Sequence, residues 1–226
     1  MFPVGDDDVR GGSPGWVTIA LIIINVLVFL YEITLGQGGL ENFIFQFGTI
    51  PARIVQGDGL GTLLTSMFLH GGWLHLIGNM LFLWVFGDNI EAVMGEMPYL
   101  IFYLAGGLAA SAAHILFNSG SDIPSVGASG AIAAVLGAYL VMFPRSRVKL
   151  LILMGRAGMT RVTALMFLGL WIVQQIFNGV ASLGVPTAQT AGVAWWAHIG
   201  GFVFGLLVGF VYRSRARNLS LDTPQV

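Results

Sequence analysis

Residues 126–143 read VGASGAIAAVLGAYLVMF, a stretch with no charged side chain and a single serine, Ser129, held between small residues at its mouth. About 17 residues of such a run form a helix of ~25 Å, close to the ~30 Å hydrocarbon core of a bilayer. The rest of the 226-residue chain is of the same kind: 56% hydrophobic, 9% charged, with a mean hydropathy of +0.82. A soluble domain of this length needs far more charge to cover its surface, so the apolar excess must face lipid. The absence of cysteine excludes disulfides and thiol chemistry.

Hydropathy places spans near 16–35, 73–93, 98–117, 127–143, 161–183 and 193–212. The fold class expected is therefore an all-α polytopic membrane protein, a six-helix bundle. The first span is retained rather than cleaved, because MFPVGDDDVRGGSPG is acidic where a signal peptide is basic. Basic residues set the orientation. Arg145, Arg147, Lys149, Arg156 and Arg161 separate the fourth and fifth spans, and Arg213, Arg215 and Arg217 follow the sixth. Both regions, and with them the N-terminus and Arg10, are expected on the cytoplasmic side. Residues 36–72 then form a long external first loop, in which IPARIV and LGTLLTSMFL predict short helices lying at the interface. The chain divides into a cytoplasmic segment 1–15, a membrane domain 16–212 and a cytoplasmic tail 213–226, whose polar RSRARNLSLDTPQV is expected to be disordered.

Polar groups that persist inside hydrocarbon are costly, and therefore point to buried or functional positions. In this orientation Ser129, His75, Asn79 and His198 all fall in the outer half of the bilayer, near the starts of the fourth, second and sixth spans. Ser129 sits at a helix N-terminus, where unpaired N–H groups and the positive dipole end favour developing negative charge. Ser129, Ala133 and Gly137 share one helical face, and so do Ala197, Gly201, Gly205 and Gly209. Small residues at that spacing let two membrane helices approach closely, which would bring His198 to the Ser129 hydroxyl as a proton acceptor.

Each feature also has a structural reading. GASG can be a packing motif, and His75 and Asn79, one turn apart, can simply tie helices together. His114, in the third span, reads as a hydrogen-bonded bundle histidine. His70, His75 and His198 could alternatively hold zinc, but no HExxH pattern and no carboxylate at that depth accompanies them.

The runs HGGWLHLIGN (70–79), GASG (127–130) and AHIGGFVFG (197–205) resemble the rhomboid intramembrane serine proteases. That family carries H-x4-H-x3-N in its second helix, G-x-S-G at the start of the fourth and A-H-x3-G-x3-G in the sixth. The resemblance implies a Ser129–His198 dyad acting without cofactor or metal, and an oxyanion site made by Asn79, His75 and the Ser129 backbone N–H. Gly127 would permit the turn that presents the serine, with Gly130 beside it in the motif, and Gly201 and Gly205 would seat the sixth helix on the fourth. His70 and Glu91 take accessory or structural places. Two departures from some bacterial members stand out: Gly61 and Thr62 stand where those carry a Trp-Arg pair in the first loop, and Ala133 where some have a tyrosine that stacks on the histidine. Trp195 or Trp196 is then expected to orient the imidazole.

The activity implied is endopeptidase cleavage of single-span membrane proteins in or near their transmembrane segment, within the lipid bilayer of a bacterial inner membrane. No nucleic-acid partner is expected. The alternative is a non-proteolytic rhomboid-like protein that binds membrane proteins for quality control; such proteins typically lack the serine or histidine kept here.

Overall fold

The computed structural model describes residues 2–7, 15–152, 158–183 and 193–221; Arg10, Arg156 and residues 222–226 lie outside them. A short strand β1 (Phe2–Gly5) leads into α1 (Trp16–Thr34), α2 (Gly36–Phe47), α3 (Pro51–Val55) and α4 (Thr62–Thr65), the last followed by a 3-10 turn at Ser66–Phe68. Then come α5 (Trp73–Met94), α6 (Glu96–Phe117), α7 (Ser129–Met142), the hairpin β2 (Arg147–Ile152) and β3 (Gly158–Thr163), α8 (Ala164–Ser182) and α9 (Trp195–Leu221). Five of the helices, α1, α5, α6, α8 and α9, are long and apolar enough to cross a membrane.

Burial in α1 is inverted relative to a soluble helix. Its inward stripe is Thr18, Leu21, Asn25, Phe29 and Glu32, whereas Ile23, Ile24, Leu27, Leu30 and Ile33 point outward. The same holds in α8, where Gln175 and Gly179 face in while Leu170, Val173, Phe177 and Val180 face out. Apolar outward faces of this extent suit lipid, since water would drive them together.

α7 is the centre of the bundle. Every residue from Gly130 to Tyr139 is buried, as expected of a helix that is apolar all round. It has 14 residues, about 21 Å at ~1.5 Å per residue, so it is the shortest of the six expected spans.

α9 packs on α7 at backbone contact. A Cβ at Gly201 would lie 2.1 Å from the Gly130 carbonyl oxygen, and one at Gly205 only 1.9 Å from that of Ala134. The row on α7 that receives α9 is thus Gly130, Ala134 and Ala138, with Gly137 against Phe202. The expected row of Ser129 and Ala133 is rotated by one position, and both residues line the cavity described below.

At the other end of the bundle, Glu91 near the end of α5 caps α1. Its carboxylate accepts the backbone N–H of Val17 (3.0 Å) and Thr18 (2.8 Å) and the Thr18 hydroxyl (2.8 Å). Those N–H groups belong to the first turn of α1 and have no partner within the helix. Gly95, at φ 89, reverses the chain from α5 into α6 with a single residue between them.

The membrane bundle is all-α as expected, two further expectations need correction, and one feature is an addition: β1, β2 and β3 form an antiparallel sheet in that order, with Lys149 opposite Arg161 and Phe2 opposite Leu151. Val148 and Leu150 alternate into the core from β2, a period of two that a search for long apolar windows passes over. α8 accordingly starts at Ala164, after the strand, rather than near 161. The tail also continues α9 to Leu221 instead of being disordered from 213. Tyr212, Ala216 and Leu219 recur at helical spacing and pack back on the core.

Between α1 and α5 the short helices expected from IPARIV and LGTLLTSMFL are present as α3 and α4. Thr49 and Ser125 exchange backbone hydrogen bonds of 3.0 and 2.8 Å, and Gly127 donates its N–H to the Ser66 carbonyl at 2.8 Å. The segment before α5 is therefore fastened to the chain that presents Ser129.

Candidate active site

Ser129 is the first residue of α7 and His198 lies one turn into α9. The close packing at Gly130 and Gly201 sets their separation: His198 Nε2 stands 2.9 Å from Ser129 Oγ, within hydrogen-bond reach. The other ring nitrogen, Nδ1, is 2.8 Å from Gln175 Oε1 on α8. A carbonyl oxygen can only accept, so Nδ1 carries the proton and Nε2 offers its lone pair to the serine hydroxyl.

The imidazole is bracketed by Trp171, with ring centroids 5.8 Å apart, and by Trp195 edge-on at 6.3 Å. Trp196 does not take part; it stacks on Phe117 at 3.6 Å. Sequence reasoning missed Gln175, although a QQ pair at 174–175 in an apolar run was a visible polar signal. Only the buried member of that pair, Gln175, lies on the inward stripe with Leu168 and Gly179.

His75 and Asn79 project from the first turns of α5 toward the same place. The Gly71 N–H is 3.4 Å from His75 Nδ1, which leaves Nε2 as the donor. That Nε2 would be only 2.7 Å from a Cβ at Gly127, whose φ of 129 is a conformation L side chains rarely adopt. Glycine is required there on both counts. Asn79 Nδ2 contacts His70 Nε2 at 3.0 Å. His70 is fully buried, and its backbone N–H meets the Glu32 carboxylate at 3.2 Å. Burial, reinforced by the neighbouring His75, holds the His70 imidazole down to about 4 from its usual 6.5, so it is neutral near pH 7.

These groups share a cavity of about 590 Å³ between α5, α7, α8 and the start of α9. His75, Asn79, Ser129 and His198 contribute its polar atoms, and Phe82, Ile132, Ala133, Leu136 and Trp171 its apolar wall. On the other side of Ser129 a second cavity of about 30 Å³ is lined by Ser66, Ser111, His114 and Ser125. His114, expected to stand apart, thus reaches the surroundings of the serine as well as contacting Asn118 Nδ2 at 3.3 Å. Among the described residues no three His, Cys, Asp or Glu side chains converge as ligands of an ion would. Glu91 lies at the far end of α5, occupied with α1. Thr62 begins α4, with Gly61 just before it.

Fold and site together define a polytopic membrane protein in which a serine and a histidine from two close-packed helices meet inside the bundle. The Rhomboid domain family model matches residues 58–215, and the chain belongs to the rhomboid family. The resemblance carried by the three motifs is borne out. The chain is 30% identical over 218 residues to "Rhomboid protease GluP" of Bacillus subtilis, covering 90% of this chain and 41% of that protein. It is 34% identical over 166 residues to "RHOMBOID-like protein 5" of Arabidopsis thaliana, covering 74% and 48%. With the human "Presenilin-associated rhomboid-like protein, mitochondrial" it shares 30% identity over 205 residues, covering 86% and 48%. The chain therefore spans less than half the length of these relatives.

Proposed function

We propose that the chain is an intramembrane serine endopeptidase that cuts single-span membrane proteins in or near their transmembrane segment. The observation that carries this reading is the 2.9 Å approach of His198 Nε2 to Ser129 Oγ beside a cavity of about 590 Å³. Ser129 Oγ attacks the scissile carbonyl while His198 Nε2 takes its proton, then returns it to the leaving amine. The oxyanion is met by the Ser129 N–H at the start of α7, His75 Nε2 and Asn79 Nδ2. Donors fixed in advance in a water-poor cavity lower such a barrier by about 3 kcal/mol each. Water then hydrolyses the acyl-enzyme, with His198 as base.

α1, α5, α6, α7, α8 and α9 all cross the bilayer in this reading, with the long segment between α1 and α5 outside and both termini in the cytoplasm. The basic residues of β2, β3 and the end of α9 support that orientation. At about 21 Å, α7 is too short for a ~30 Å core, which sets Ser129 below the outer surface. A substrate must offer an unwound segment there, because carbonyls in a regular helix are already hydrogen-bonded.

The test is reconstitution in liposomes with a single-span substrate, comparing wild type, Ser129→Ala and His198→Ala, with and without a chelator. Cleavage abolished in both variants and indifferent to chelator is expected. Cleavage surviving in Ser129→Ala, or lost with chelator in the wild type, would overturn the serine mechanism.

A further inference from the structure

The histidine of a Ser–His pair works as a base only in one tautomer, with Nδ1 protonated and Nε2 bare toward the serine. Among the described residues no carboxylate contacts His198. Its Nδ1 instead meets Gln175 Oε1 at 2.8 Å, and Gln175 is only 4% exposed, so water does not compete for that bond. An amide has two ends, and a flipped one would present N–H groups to Nδ1 and enforce the wrong tautomer. The other end decides: Gln175 Nε2 lies 3.3 Å from the Trp171 carbonyl oxygen, one turn earlier on α8. Flipping the amide would set two acceptor oxygens against each other. The Trp171 carbonyl therefore fixes the amide, the amide fixes the imidazole, and the imidazole addresses Ser129.

We infer that Gln175 is the positioning residue of this site, holding His198 by a neutral amide in the tautomer and orientation that accepts the Ser129 proton. This rests on the protease reading above, and makes the machinery a chain of three residues from α8, α9 and α7. It also accounts for how the imidazole stays oriented with Ala133 one turn after the serine, where no ring can stack on it. Trp171 and Trp195 limit ring tilt but offer Nδ1 no acceptor.

The experiment uses the full chain in liposomes and three proteins: wild type, Gln175→Met and Gln175→Glu. Met keeps the length and removes the acceptor; Glu keeps the acceptor. Gln175→Met is expected to lower kcat about 10- to 100-fold with KM little changed. Gln175→Glu should recover most of that loss. A purely structural role would give the reverse order, since a buried methionine disturbs packing less than a buried carboxylate. Because His75 and His114 are the titratable groups nearest His198, pH–rate profiles are recorded for all three proteins. An acid limb at higher pH in Gln175→Glu alone assigns the effect to His198.

Should Gln175→Met not fold, ¹⁵N-histidine spectra of the wild type, assigned by difference from His198→Ala, report the tautomer directly. Nδ1–H is expected. A predominant Nε2–H tautomer, full activity in Gln175→Met, or equal losses in Met and Glu would each overturn the inference. The tautomer measurement needs no turnover, so it tests Gln175 even if no protein variant cleaves substrate and the protease reading fails.

Discussion

Adding one methyl group to α9 tests whether helix contact sets the catalytic distance. In Gly205→Ala the new Cβ would stand 1.9 Å from the Ala134 carbonyl oxygen and 2.7 Å from its carbon, whereas real Cβ atoms keep at least 3.0 Å. These neighbours are backbone of a buried helix and cannot rotate away, so α9 must retreat from α7 by about 1.1 Å. His198 lies two turns earlier on the same rigid helix, and its 2.9 Å bond to Ser129 has no slack for such a step. A displacement of ~1 Å at a reacting pair costs roughly 10²-fold in rate, and overpacking of this kind costs about 1–3 kcal/mol of stability. The assay is kcat for a single-span substrate in proteoliposomes, with thermal unfolding measured alongside. Gly169→Ala is the control, because its Cβ enters open space, and in a helix that change should be neutral or stabilising by up to ~1 kcal/mol. Wild-type kcat and stability in Gly205→Ala would refute the claim that backbone contact places the histidine.

Gly127→Ala should abolish cleavage without unfolding the bundle, since its Cβ would fall 2.7 Å from His75 Nε2 at a strained φ of 129; turnover near wild type would remove His75 from the oxyanion site. Glu91→Gln turns one of two carboxylate oxygens, each accepting a backbone N–H, into a donor, and should lower stability by about 2–4 kcal/mol in denaturant titration while leaving residual kcat near normal. For His70 the folded value of about 4 lies below the 6.5 of the unfolded chain, so its contribution is intact above pH 6.5 and drains as pH falls toward 4. Unfolding in detergent should lose up to about 3 kcal/mol over that window, and His70→Gln should flatten it; an unchanged slope in the variant would assign the acid sensitivity elsewhere.

The bundle was readable because lipid imposes length and polarity on each span, and the starts of α1 and α5 fell where the hydropathy put them. That Ser129, His75, Asn79 and His198 share one place in the bundle was readable because polar atoms are scarce at that depth. Gln175 escaped because an amide on one helix gives no hint of which neighbour it faces. The sheet escaped for a different reason: RVKLLI and GMTRVT are six-residue runs between longer apolar ones, and pairing of β2 with residues near the N-terminus is a long-range fact that local periodicity does not contain. The α7–α9 seam was half legible. The spacing of Gly201, Gly205 and Gly209 named the α9 face, but which α7 row receives it depends on helix rotation, and it proved to be Gly130, Ala134 and Ala138.

The β1–β2 pairing also has a consequence in time. Asp6, directly after β1, is buried and accepts hydrogen bonds from Asn89 Nδ2 (2.9 Å) and the Tyr139 hydroxyl. Phe2, Pro3 and Gly5 pair with Leu151, Leu150 and Lys149. β1 and Asp6 thus find their partners only after α1 through α7 have been made. Until then the leading strand waits with its edge open, and its docking marks the moment at which the first two thirds of the chain become one assembled body.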